Sequence, residues 1–123
     1  MRGRIRDRPL RRAGVRCSPW RFRRLVQQAC DRLPPRFQKL LTNVAVIVED
    51  RPIDGDALGF YQGTPIGERG TGYTIALPDK ISIYRLPLLD SCRTQSELRI
   101  EIELTVLHEI GHYFGMDDHE IPF

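Results

Sequence analysis

All three histidines of this chain, His108, His112 and His119, lie within twelve residues near its C-terminal end. The first two bracket the string His108-Glu109-Ile110-Gly111-His112, an HExxH pattern. On an α-helix, residues four apart share a face, so both imidazoles can turn toward one cation. Glu109, one step round, then reaches a water beside that cation without ligating it. The chemistry such a group performs is hydrolysis: the cation polarises a carbonyl and acidifies water, and the carboxylate takes the proton.

Two imidazoles leave a catalytic zinc site short, because such sites take three protein ligands and keep one position open. Gly115 suits the left-handed backbone that ends a helix, which lets the chain double back and present Asp118 to the same ion. The extended reading is HExxHxxGxxD over His108, Glu109, His112, Gly115 and Asp118. His119 is the alternative third ligand, being adjacent and an imidazole, and Asp117 and Glu120 are further carboxylate candidates. Gly115 and Tyr113 are assigned to structural support. Shuffling a chain of this composition yields HExxH in only about 0.4% of cases, so chance is a poor account. Core histidines satisfied by hydrogen bonds would need two rings and a carboxylate grouped on the most apolar helix, where unpaired burial is costly.

The elements that must position these residues are legible upstream. Ser18 as N-cap and Pro19 at the first helical position, then Phe22, Leu25, Val26, Ala29 and Leu33 at helical spacing, predict a first amphipathic helix closing at Pro34-Pro35. A short helical piece before Asn43 follows. VAVIV, residues 44–48, is an apolar β-branched run that predicts a buried strand central in a sheet. LGFYQ (58–62), GYTIAL (72–77) and ISIYR (81–85) read as short strands, the last two forming a hairpin across Pro78-Asp79-Lys80. Residues 81–85 are also the expected edge to which an extended peptide would add. The glycines between 63 and 72 do not form a phosphate cradle, since no Lys-Ser/Thr follows and they lead into a strand. Thr94-Gln95-Ser96-Glu97 is a capping box opening a last helix toward Gly115. Leu98, Ile102, Val106, Ile110 and Tyr113 form its stripe, which Leu104, Leu107 and Phe114 widen, so it should pack on more than one side.

The chain has 123 residues, room for one modest core and not for two full domains. No apolar run approaches a membrane span, and the charged start has no apolar stretch behind it to make a signal peptide. Three cysteines, Cys17, Cys30 and Cys92, without CxxC spacing indicate reduced thiols and a cytoplasmic protein. Residues 1–24 hold ten arginines against Asp7 alone, leaving the remainder acidic. Residues 1–17 are accordingly assigned to an Arg-rich, disordered extension and 18–123 to the folded domain. Nucleic-acid contact by the arm rests on charge alone, with no interleaved aromatics or binding motif. A homodimer does not follow from the sequence.

The string HEIGHYFGMDD resembles the zinc-binding signature of the small bacterial zincin-like metallopeptidases, the mini-zincins, in the variant with aspartate as third ligand. The similarity in order and spacing runs over roughly residues 19–121, through the double proline, VAVIVED-RP, LGFYQGTP and ALPDKISIYR-PLL. The resemblance implies an α+β domain, a small twisted mixed sheet packed against helices that include the HExxH helix. It further implies one zinc ion held by His108, His112 and Asp118, Glu109 as general base, and a peptide or protein substrate. No Ser or Cys nucleophile is expected. Two departures stand out: no methionine follows Met116 to form the supporting turn of longer zincins, and no second subdomain builds a cleft. A zinc-binding protein using the site for structure or partner binding is the alternative reading.

Overall fold

A computed structural model describes residues 14–63 and 79–121. The described elements are α1 (Pro19–Asp31), α2 (Pro35–Leu41), β1 (Val44–Glu49), β2 (Gly59–Gln62), β3 (Asp79–Tyr84), α3 (Arg85–Ser91) and α4 (Gln95–Tyr113). Helix α1 starts where its sequence says: Ser18 Oγ accepts from the Arg21 N–H at 3.2 Å, and Pro19 occupies the first turn, where no amide is needed. Its apolar residues Phe22, Leu25, Val26 and Ala29 are all buried.

The three strands form one mixed sheet in the order β1-β3-β2, with β1 parallel and β2 antiparallel to β3. Register places Val46 beside Ile81 and Val48 beside Ile83, while Gly59 faces Ile83 and Tyr61 faces Ile81. These residues therefore share the face that packs on the helices.

Helix α4 lies across that face and touches β2, β3, α1 and α3. Thr94 Oγ1 caps it by accepting from the Glu97 N–H at 3.0 Å. Leu98, Ile102 and Val106 are buried in the common core. The architecture is the expected α+β arrangement: a small mixed sheet packed against helices that include the HExxH helix.

Several expectations need correction. Among the described residues β1 lies at the edge of the sheet, not at its centre, and its Ile47 is exposed. A continuous apolar run needs only alternate residues buried, so VAVIV did not distinguish the two positions. β3 is central and paired on both sides, so residues 81–85 offer no edge for strand addition. Asp79 and Lys80 belong to β3 itself and not to a connection, and residues 72–77 lie outside the described residues. Arg85 opens α3, which carries Pro87 in its first turn and went unread in the sequence.

Residues 14–17, assigned to the arm, are packed on the body. Cys17 is buried in the core, Val15 N–H donates to the Cys92 carbonyl at 3.0 Å, and Arg85 Nη1 donates to the Cys17 carbonyl at 2.8 Å. The arginines of residues 1–13 lie outside the described residues. Among the described residues Cys17, Cys30 and Cys92 form no disulfide. Among the described residues, no helix is long and apolar enough to cross a membrane.

Candidate metal centre

The last two turns of α4 carry His108, Glu109 and His112, all buried. The two imidazole rings lie edge to face, with centroids 4.9 Å apart. Glu109 is fully enclosed because the helix sits directly on the sheet at Gly59. A Cβ at Gly59 would come within 2.7 Å of Thr105 Cγ2 and 3.2 Å of Glu109 Cγ, so only glycine allows this approach. Burial raises the pKa of the Tyr84 phenol, opposed by a Ser82 hydrogen bond and by Lys80 and reinforced by the charges of Glu49 and Glu109.

Beyond the helix the chain reverses as the sequence requires. Gly115 adopts φ 88°, its N–H donates to the His112 carbonyl at 2.8 Å, and the Met116 N–H donates to the Gly111 carbonyl at 3.0 Å. This is a Schellman closure, and left-handed backbone at its turn explains the glycine. The reversal brings Asp118 Oδ1 to 3.0 Å from His108 Nε2 and 2.8 Å from His112 Nε2.

Asp118 is thus the residue brought against both imidazoles. His119, Asp117 and Glu120 group instead with one another, offering ligand atoms within 4.8 Å of each other on more open ground. Tyr113 is buried and packs edge-on against Tyr61 at 5.8 Å, and Tyr61 donates its hydroxyl hydrogen to Asp79 Oδ2 at 2.6 Å. That chain ties the last turn of α4 to the sheet.

The donor set fits a divalent cation. His112 Nδ1 lies 2.9 Å from the Met116 carbonyl oxygen, which can only accept, so Nδ1 carries the proton and a neutral ring presents a bare Nε2. That Nε2 is buried and out of line for a hydrogen bond, yet 2.8 Å from a carboxylate oxygen. With the proton on Nδ1, Nε2 and the Asp118 oxygen are two lone-pair donors close enough for one divalent cation to take both. Tetrahedral zinc sets ligand atoms about 3.3 Å apart, a few tenths of an ångström wider than the separations here.

The sequence profile described as zincin-like metallopeptidase matches residues 41–122. The chain belongs to the zincin-like metallopeptidase family. Membership implies zinc binding in general. No curated protein matches this zincin-like chain.

Three contributors to the site escaped sequence reading. The Met116 carbonyl is a backbone group, invisible to residue type. Gly59 and Gly111 did leave a signal, as isolated glycines within strand and helix patterns, which mark close approach. A Cβ at Gly111 would lie 2.9 Å from Cδ1 and Cγ1 of Ile121.

Proposed function

We propose that this zincin-like chain is a metallopeptidase that binds one zinc ion through His108, His112 and Asp118 and hydrolyses peptide bonds with Glu109 as general base. The observation that carries the reading is the placement of one Asp118 oxygen within 3.0 Å of both Nε2 atoms, with Glu109 on the next step of the helix. The bound ion would supply Lewis acidity toward the scissile carbonyl and toward the attacking water.

The chain's own residues do the rest. The Met116 carbonyl holds the His112 ring in the tautomer that frees Nε2. Glu109 takes the proton from water on its carboxylate and returns it to the nitrogen of the departing amine, so no covalent enzyme species forms. Full burial and the close approach of its Cγ to Gly59 restrict the Glu109 side chain, so it need not be ordered at the moment of reaction. The substrate is a peptide or protein. The cytoplasmic setting is supported by the three cysteines, which form no disulfide among the described residues.

A structural use of zinc is the second reading, favoured by the half-exposed tail that the ion would fasten to α4. Glu109→Gln separates the two. Metal analysis and peptide-library digestion of wild type and variant should show equal zinc content and turnover lost in the variant. Equal turnover in both would remove Glu109 from the chemistry, and no digestion by either at full zinc content would favour the structural reading.

A further inference from the structure

Asp118 reaches the imidazoles only because the chain after α4 folds back over the helix's last turns. Two of the ties that hold this tail are small and open to water. One is the Schellman closure at Gly115, and the other is the 117–120 turn, in which Glu120 N–H donates to the Asp117 carbonyl and Asp117 N–H to Glu120 Oε1, each at 2.9 Å. Exposed hydrogen bonds of this kind contribute little each.

A further tie, beyond these and the Met116 carbonyl at His112 Nδ1, differs in kind. Of residues 114–121, Ile121 is the one that is buried, at 7% exposure. It rests on Gly111, where any side chain would place a Cβ 2.9 Å from it. Gly111 lies within regular helix, without the positive φ of Gly115. Glycine there costs the helix about 1 kcal/mol relative to alanine, so backbone conformation does not account for it. The seat for Ile121 does.

We propose that Ile121, seated on the bare Cα of Gly111, is a positioning residue that holds Asp118 against His108 and His112. This rests on Asp118 being the third ligand. The tail is pinned at Gly115 on one side of the ligand and at Ile121 on the other. Releasing the second pin leaves Asp118 on a segment held from one side, which must be ordered each time metal binds.

The test is a double-mutant cycle on the full chain, reading zinc affinity by competition with a chromophoric chelator and the melting of the metal-free protein. Ile121→Ala should weaken zinc binding by about 10- to 100-fold, the range for losing a residue that orients a ligand. Ile121→Val should do so by less. In an Asp118→Ala background, Ile121→Ala should weaken binding no further, because the residue it positions is gone. Gly111→Ala should resemble Ile121→Ala.

Equal losses in the two backgrounds, tracking a lower metal-free melting temperature, would make Ile121 merely structural and overturn the proposal. Undiminished affinity in Ile121→Ala, while Asp118→Ala loses zinc, would overturn the latch and leave the ligand set standing. Undiminished affinity in Asp118→Ala would remove the third ligand, and the latch with it.

Discussion

Glu109 and Asp118 are carboxylates nine residues apart at the same pair of imidazoles, yet they are held in opposite ways. Glu109 is fully buried where α4 meets the sheet, close against Gly59, fifty positions away. Asp118 is half exposed, on a reversal whose backbone hydrogen bonds, among the described residues, fall within residues 110–120. The contrast matches the two tasks proposed for them. A base must meet its water in one geometry with its surroundings already arranged. A ligand need only converge on an ion that itself helps to order the tail.

The largest expected effect follows directly. Glu109→Gln should cut turnover by about 10²- to 10⁴-fold with zinc content intact, whereas Asp118→Asn should first lose zinc. Its loss should exceed the roughly 10- to 100-fold typical of a mere orienting partner, measured by chelator competition. If both variants lost metal equally, the division between base and ligand would collapse.

Gly59→Ala probes the buried half from the sheet. Its Cβ would press on Thr105 and Glu109, so urea denaturation should show a loss of about 1–3 kcal/mol and turnover should fall more than zinc affinity. Adding Thr105→Ser removes the nearer clash and should recover much of the stability. Recovery of full turnover as well would show that Glu109 had not been displaced.

Thr94→Ala, at the far end of α4, should cost about 1 kcal/mol through the lost cap and leave zinc affinity unchanged. That outcome would separate global stability from the site.

The smallest effect concerns Cys30, whose thiol burial, with Asp31 adding, pushes up to about 11 from 9.0. The folded state favours the protonated thiol, so its contribution to stability is full below pH 9 and is lost as pH climbs toward 11. Alkylation at pH 8 should therefore be slow and rise about tenfold per pH unit. Chelation, which frees the tail, should leave this rate unchanged, since Cys30 lies on α1. A faster rate would mean that metal stabilises the body as well as the tail.

What the residues alone decided is everything governed by short separation. Ser18-Pro19 and the Thr94 capping box fixed two helix starts, HExxH placed two imidazoles on one face, and Gly115 reversed the chain so that Asp118 came back. Each of these follows from helix geometry or a turn conformation, with partners no more than ten positions away. Tertiary structure alone decided that β3 and not β1 is central, because apolar alternation is the same for a strand paired on one side or on two. It also decided that Arg85 begins α3, tied to Asp50 and Cys17, and that Gly14–Cys17 belong to the body. The seats at Gly59 and Gly111 are of the same kind, for a missing side chain acquires meaning only from what packs into its place.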